Sequence, residues 1–191
     1  KDFEVKAKEA DSLGWDVDKE LSTYNATVFK NKSSGKAVIA YRGTNPLNLE
    51  DLAVDLDIAF GLRKHKRFQE AEDLYKIVCQ KYHNAQVTGH SLGGALALYV
   101  NDLYGVPTTV FNPGSSPFFE KNYDENGGDY SVPRIIRHED DLVSYGHRKR
   151  KGVVTKKRKI NIRDPYFDHS LFGILYQQYM AHPLGRVSSF I

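Results

Sequence analysis

Residues 86–96, Gln-Val-Thr-Gly-His-Ser-Leu-Gly-Gly-Ala-Leu, contain the pattern Gly-x-Ser-x-Gly centred on Ser91. This pattern is typical of a tight turn that joins a strand to a helix and raises a nucleophilic serine above a sheet. Because the turn leaves little space two residues before and after the serine, both positions favour glycine. The flanking residues support this interpretation. Residues 86–88 are typical of a short strand, and residues 92–104, rich in Ala and Leu and followed by Gly105, predict a helix.

Strands and helices are predicted to alternate along the rest of the chain. Residues 23–31 and 36–42 alternate in polarity and flank a Lys-Ser-Ser-Gly turn, which predicts an antiparallel hairpin. Apolar residues recur at helical spacing over residues 66–82. Further strands are expected at 108–111 and 134–138, and further helices at 3–13, 49–60 and 168–180. The pattern predicts an α/β fold in one compact domain, residues 1–191, with a mostly parallel sheet flanked by helices and the hairpin at one edge.

The composition is that of an ordinary globular protein, with 40% hydrophobic and 27% charged residues. No apolar run approaches the roughly 20 residues that span a bilayer, and the residues show no signal-peptide pattern, so neither a transmembrane segment nor a signal peptide is expected within this chain. The single cysteine, Cys79, excludes an internal disulfide. The sequence has no His-Glu-x-x-His motif, cysteine cluster or phosphate-binding loop, so neither a metal nor a cofactor is expected.

A serine nucleophile needs a histidine base and a carboxylate that orients the histidine. In hydrolases with this turn the order along the chain is serine, acid, histidine. An acidic run, Glu139 to Asp141, follows the predicted strand at 134–138, where an orienting acid belongs. Asp141 is the first choice, Asp140 the second and Glu139 the third, and the alternative is a solvated acidic turn.

Four histidines follow Ser91 as candidate bases. His169 is the first choice because it opens an apolar helical stretch, and His182 near the C-terminus is the second. His147 is disfavoured because neighbouring cations oppose protonation, and His138 lies within a predicted strand, which favours a structural role.

The oxyanion of an acyl-transfer reaction needs backbone donors. One donor is expected to be the N–H of Leu92, directly after the nucleophile. The other is expected from the loop that ends the strand at 36–42, where Gly43 allows close approach and Thr44 offers an N–H and a hydroxyl. The alternative is a plain turn before Pro46.

These residues together resemble the class 3 lipases, the α/β-hydrolase group related to fungal triacylglycerol lipases and many phospholipases A1. Residues 87–95 are similar to that family's nucleophile stretch, residues 38–44 to its oxyanion strand, and residues 141–143 to its Asp-x-Val motif. The resemblance implies an α/β-hydrolase fold and the hydrolysis of carboxylic esters in acyl lipids. The site would consist of the triad Ser91, Asp141 and His169 with the oxyanion donors Thr44 and Leu92.

The chain departs from the family pattern at two places near the proposed site. Residues 111–115 read Phe-Asn-Pro-Gly-Ser where the family often has Phe-Gly-x-Pro-Arg, and Arg67 replaces a glycine before the aromatic residue at Phe68. Residues 57–64 are a candidate remnant of a lid, or equally an ordinary loop. These departures bear on the substrate more than on the reaction.

Residues 148–159 hold eight of the 27 Lys and Arg residues and no acid, so a mildly acidic body carries one strongly basic segment. We expect this segment to form a hairpin and, since it lies between Asp141 and His169, to leave from and return to the rim of the active site. Contact with an anionic membrane surface is one expectation, and it favours phospholipid over triacylglycerol as substrate. A soluble short-chain esterase is an alternative function. Another is a non-catalytic module whose basic segment binds nucleic acid or import receptors, although nucleic acid is disfavoured.

Overall fold

A computed structural model describes residues 10–43, 66–114, 131–139, 144–149 and 151–156. These residues form a seven-stranded sheet in the order β1-β2-β3-β4-β5-β6-β7, with two helices described over their whole length, one 3-10 helix and the helical residues 10–12. The strands are β1 (Trp15–Val17), β2 (Ala26–Asn31), β3 (Ala37–Tyr41), β4 (Ala85–Ser91), β5 (Thr108–Pro113), β6 (Arg134–His138) and β7 (Val153–Lys156). The helices are α1 (Lys66–Lys81) and α2 (Leu92–Tyr104), and the 3-10 helix covers Tyr145–Lys149.

The sheet is antiparallel at one edge and parallel elsewhere. Strands β1, β2 and β3 pair antiparallel, and every neighbouring pair from β3 to β7 is parallel. The predicted α/β fold with a mostly parallel sheet and an N-terminal hairpin is therefore confirmed. The side chain of Asn31 closes the hairpin turn by accepting hydrogen bonds from the N–H groups of Ser33 and Ser34. Edge strand β1 was not predicted, because three residues give no readable alternation.

Alternating side chains of the sheet bury two separate apolar layers. On β3, Ile39 and Tyr41 belong to the main core with α1 and α2, whereas Val38 belongs to a smaller cluster with Trp15 and Phe29. Ala10, at the start of the described helical residues 10–12, joins the smaller cluster. The expected helix at 3–13 is described only over those residues, and the expected helices at 49–60 and 168–180 lie outside the described residues.

Helices α1 and α2 lie on the same face of the sheet and pack against each other. The ring of Phe68 meets the ring of Tyr99 edge-on with 5.1 Å between centroids. The observed bounds of α2 are those predicted, and Gly105 ends it in the left-handed conformation at φ 61°. Nine of the 13 residues of α2 are buried because the helix is covered by both the sheet and α1. Each fully buried leucine in such a layer contributes about 2 kcal/mol.

A buried carboxylate, Asp18, connects the β1–β2 loop to the C-terminal end of α1. Its oxygens accept hydrogen bonds from the hydroxyl of Tyr82 at 2.6 Å and from the ammonium of Lys81 at 2.8 Å, and from the N–H of Leu21 at 3.2 Å. Burial raises the pKa of Asp18, but the hydrogen bonds from Lys81 and Tyr82 outweigh burial and hold the pKa at about 2. This contact network joins the β1–β2 loop to the end of α1 and contains none of the predicted site residues, so we assign it a structural role.

Asp18→Asn is expected to lower the free energy of unfolding by about 2 kcal/mol at pH 7, because that is the linkage value of a pKa lowered from 3.8 to about 2. The lowered pKa contributes stability above about pH 4, and this contribution is lost as the pH falls towards 2. Urea unfolding at pH 7 and pH 2 should therefore show a difference between parent and variant that shrinks with acidity. Asp16→Asn is the control, because Asp16 makes only a half-exposed ion pair with Lys32 at 3.5 Å. An equal loss in both variants would contradict the assignment.

The described part of the basic segment passes along the strand direction, from the end of the sheet where the parallel strands finish to the end where they begin. Its first residues end the 3-10 helix, and the carbonyl of Gly152 then accepts a hydrogen bond from the N–H of Ile135, beside the start of β6. Strand β7 runs back parallel to β6, so that Lys156 pairs with His138. The described part of the segment therefore contains no hairpin, and the hairpin expectation is wrong there. Lys151, which precedes Gly152, lies near the start of β6, and the described part of the segment then runs back along β7 towards the end of the sheet that carries Ser91.

Candidate active site

The centre of the candidate site is the junction of β4 and α2. Ser91 ends the strand, precedes the first residue of the helix and has φ 54° and ψ −126°. A positive φ is uncommon outside glycine, and such strain is concentrated at functional sites. The predicted strand–turn–helix geometry is therefore confirmed, with β4 longer than the predicted strand because its last residues continue the pairing with β5.

The two glycines of the Gly-x-Ser-x-Gly pattern are required by close backbone approaches. A Cβ on Gly89 would lie 2.2 Å from the carbonyl oxygen of Gly93, and a Cβ on Gly93 would lie 2.1 Å from the carbonyl oxygen of Tyr41. Both distances are far inside van der Waals contact, so any side chain would force the backbone apart. The second approach also brings the end of β3 directly against the turn.

The hydroxyl of Ser91 is buried without a hydrogen bond. The residue is 5% exposed, and its Oγ has no partner among the residues that the structure describes. Leu92 follows as the first residue of α2, where N–H groups have no acceptor within the helix and the helix dipole favours negative charge. A hydroxyl without a partner beside unpaired backbone donors is the arrangement that acyl transfer needs.

The loop that follows β3 lies against this turn. A Cβ on Gly43 would be 2.9 Å from the carbonyl oxygen of His90 and 3.6 Å from Cβ of Ser91. The structure thus brings Gly43 to the nucleophile turn. Thr44, the predicted oxyanion residue, is next in the sequence but lies outside the described residues.

The end of β5 flanks the turn on the other side. Asn112 has φ 39° and is the extra residue where the β4–β5 register shifts after His90. The N–H of Gly114 then donates to the carbonyl of Ser91 at 2.9 Å. Asparagine tolerates the left-handed region better than most residues. It can therefore occupy the position where the class 3 lipases often have glycine.

His147 lies in this region but in an environment that the sequence did not predict. It is 5% exposed, and its Nε2 lies 2.9 Å from the carbonyl oxygen of Gly114. Because a carbonyl only accepts hydrogen bonds, Nε2 must carry the proton and donate. The sequence gives no local signal that this histidine, which precedes a basic run, is buried, because its partner Gly114 lies 33 positions away.

Buried Arg137 holds both sides of the predicted acidic turn at the end of β6. Its Nε donates to Oγ of Ser144 at 3.3 Å, and its NH2 group donates to the carbonyl of Glu139 at 3.4 Å. The structure therefore anchors the residues on either side of 140–143 to the sheet. Asp140, Asp141, His169 and His182 lie outside the described residues, so their arrangement around Ser91 stays a prediction.

The described residues contain no group of three or more His, Cys, Asp or Glu side chains that could hold a metal ion. In the same part of the chain, no helix combines the length and apolar character needed to cross a membrane.

Comparison with known proteins identifies the family. A family model for a phospholipase-like group, the Tle-like phospholipase domain, matches residues 4–116, more than half of the chain. The chain belongs to this family. The predicted resemblance to lipases and phospholipases is thereby confirmed at the level of the family. The match includes Ser91 and Thr44, whereas Asp141 and His169 lie beyond it.

Individual relatives of this Tle-like phospholipase domain are similar over a shorter stretch. The chain is 48% identical over 54 residues to the "Putative lipase ATG15" of Vanderwaltozyma polyspora, a match that covers 27% of the chain and 10% of the relative. It is 47% identical over 57 residues to the protein of the same name from Saccharomyces cerevisiae, covering 28% of the chain and 11% of the relative. The matched segment thus spans about a tenth of each relative's length.

Proposed function

We propose that this Tle-like phospholipase domain is a serine hydrolase that cleaves carboxylic ester bonds of acyl lipids. The observation that carries the proposal is the state of Ser91, which is strained at φ 54°, buried, and without a hydrogen bond to Oγ among the described residues. In this conformation a serine without a catalytic role would lower the stability of the fold, because no hydrogen bond of its hydroxyl with the described residues offsets the strained backbone. Labelling with a fluorophosphonate, followed by mapping of the modified residue, tests the proposal directly.

The proposed reaction proceeds through an acyl-enzyme. Oγ of Ser91 attacks the acyl carbon while His169 takes its proton, and the carbonyl π electrons move onto the oxygen. Backbone N–H groups of Leu92 and Thr44 hold this oxyanion, and Asp141 orients His169. The tetrahedral intermediate expels the alcohol, which receives the proton from His169. Water, deprotonated by His169, then attacks the acyl-enzyme, and the second tetrahedral intermediate expels Oγ of Ser91, which takes the proton back from His169 as the fatty acid leaves.

Two features favour phospholipids as the substrate class. The family is described as phospholipase-like, and the relatives are named lipases, which favours an acyl lipid over a small soluble ester. In addition, Lys156 ends β7 beside the last residue of β6. The parallel strands β4 to β7 all finish at this end of the sheet, which also carries Ser91, and three more cations follow Lys156 in the sequence. Cations at this end would attract an anionic membrane surface.

The sheet register divides the basic segment into two groups of cations with different expected roles. Lys149 and Lys151 are exposed on the connection that leads to the start of β6, which is the end of that strand away from Ser91. Lys157, Arg158 and Lys159 follow β7 directly after it has returned to the edge of the candidate site. Only the second group is expected to act at the membrane.

Replacement of Lys157, Arg158 and Lys159 by Gln is expected to weaken binding to vesicles that contain anionic lipid by about 100-fold, because each basic residue at such a surface contributes about 1 kcal/mol. Hydrolysis of those vesicles should fall in parallel, and added salt should weaken the parent protein similarly. Vesicle sedimentation and fatty-acid release are the measurements.

The matched control replaces Lys149, Arg150 and Lys151 by Gln, which removes the same charge from the connection. It should bind vesicles almost like the parent, and both variants should hydrolyse a soluble short-chain ester normally. Equal losses of vesicle binding would contradict the division of the segment. Loss of soluble-ester hydrolysis would mean that the replaced residues support the fold or the site.

The alternative functions remain distinguishable. A short-chain esterase would hydrolyse soluble esters without any gain when the substrate is presented on vesicles. A non-catalytic module would fail to react with the fluorophosphonate, although it would keep the same fold.

A further inference from the structure

The start of α1 is attached by hydrogen bonds to the open end of the hairpin, where β2 begins and β3 ends. The hydroxyl of Tyr41 donates to the carbonyl of Ala71 at 2.8 Å. The side-chain amide of Asn25, at the start of β2, donates to the carboxylate of Glu70 at 3.0 Å. With Phe68 buried in the main core, these contacts define where the first turns of α1 lie relative to the predicted oxyanion loop.

Arg67 uses this position to reach the backbone of the loop. Its NH2 group donates to the carbonyl of Arg42 at 2.6 Å, and the N–H of Arg42 donates in turn to the carbonyl of Asn25 at 2.8 Å. Both backbone polar groups of Arg42 are therefore held, one from α1 and one from the start of β2. The next residue, Gly43, is the one that lies against His90 and Ser91.

We propose that Arg67 is a positioning residue for the oxyanion loop, because its guanidinium holds the Arg42–Gly43 peptide against the nucleophile turn. The proposal rests on the proposed function for its catalytic consequence, but not for its structural content.

The chemistry of the contact suits this role. A charged donor makes a shorter and stronger hydrogen bond to a carbonyl than a neutral one, and a guanidinium stays protonated in proteins. Burial lowers the pKa of Arg67, while nearby Glu70 opposes this effect. Oxyanion donors act only when they are held in advance at the position where charge develops. Among the described residues, the pairing of β3 with β2 and β4 ends at Tyr41, and the carbonyl of Arg42 that follows is held by the side chain of Arg67.

Arg67→Gln tests the inference in two ways. Backbone hydrogen exchange should become about 10-fold faster at the amide of Arg42, because the peptide that follows it loses its restraint. With a lipid ester, kcat should fall by about 10-fold and KM should stay within about twofold. The fall should be smaller than the roughly 100- to 1000-fold cost of removing one oxyanion donor, because the variant only loosens the position of the donor. Inhibition by a trifluoromethyl ketone, whose adduct carries an oxyanion on the same donors, should weaken by the same factor as kcat.

Two further variants separate positioning from other roles. Lys66→Gln removes a cation from the adjacent residue, whose exposed side chain pairs with Glu70 at 3.5 Å, and should leave exchange, kcat and inhibition unchanged. Arg67→Lys keeps a charged donor and should recover most of the loss. A fall in melting temperature of Arg67→Gln without changes in exchange, kcat and inhibition would mean that Arg67 only packs, and would overturn the proposal. Equal losses in Arg67→Lys and Arg67→Gln would overturn it as well.

Failure of the proposed function gives a different result. In that case the parent chain would neither turn over esters nor react with the fluorophosphonate. The exchange of the Arg42 amide would still decide whether Arg67 holds the loop, since that measurement needs no activity. Unchanged exchange in Arg67→Gln overturns the inference in either case.

Discussion

Ser91→Ala is expected to abolish lipid ester hydrolysis, a fall of about a million-fold, because removal of the nucleophile from a triad costs as much as removal of the whole triad. The variant should also lose all labelling by a fluorophosphonate. Its fold should remain intact, because Oγ of Ser91 makes no hydrogen bond with the described residues and alanine fills nearly the same volume. The measurements are fatty-acid release, labelling followed by peptide mapping, and thermal unfolding of both proteins.

Ser22→Ala is the control with the opposite pattern. The hydroxyl of Ser22 donates to the carbonyl of Asp18 at 2.6 Å and accepts from the N–H of Val28 at 3.0 Å. Its loss should therefore cost about 1 kcal/mol of stability, as for a typical hydrogen bond, without any effect on labelling. Labelling that persists in Ser91→Ala would identify another nucleophile. A parent protein that is not labelled would favour the non-catalytic module.

The nucleophile turn was predictable because its requirements are local. Gly89 is needed by its close approach to Gly93 within a single turn, and the strand and helix on either side carry their own hydrophobic patterns. The same holds for the hairpin, whose turn is closed by Asn31 within a few residues. Such features depend on residues close together in the sequence, so the sequence displays them directly.

The supports around the turn were not predictable because they join distant residues. Arg67 reaches a carbonyl 25 positions away, and His147 reaches one 33 positions away. Nothing in the local sequence distinguishes these side chains from exposed cations or an idle histidine. In the sequence Asn112 stands out only as a departure from a family pattern. Its left-handed backbone, which the structure shows, explains how asparagine is accommodated at this position.

The contact of His147 with Gly114 disfavours this histidine as the base, and the assignment of the base stays a prediction. A triad histidine accepts the serine proton at Nε2, but Nε2 of His147 already donates to the carbonyl of Gly114. His138 lies within β6, as the sequence predicted. His169 thus remains our first choice and His182 the second.

His169→Ala is expected to lower turnover almost as much as Ser91→Ala, again by about a million-fold, because the triad acts as a unit. Asp141→Asn should cost less, about 10,000-fold, because the acid orients the base without taking the proton. Both variants should unfold at nearly the temperature of the parent. Single-turnover hydrolysis of an activated ester, measured from pH 5 to pH 9, should rise with pH in the parent as the histidine deprotonates, and this rise should be lost in His169→Ala.

Two control variants decide whether the base has been assigned correctly. His182→Ala should retain turnover. His147→Gln should also retain it, because a glutamine side-chain amide can still donate to the carbonyl of Gly114 and keep the end of β5 against Ser91. Loss of turnover in His182→Ala with retention in His169→Ala would transfer the role of base to His182. Loss in His147→Gln with the same pH profile as His169→Ala would show that the buried imidazole exchanges its hydrogen bond to Gly114 for one to Ser91 during the reaction.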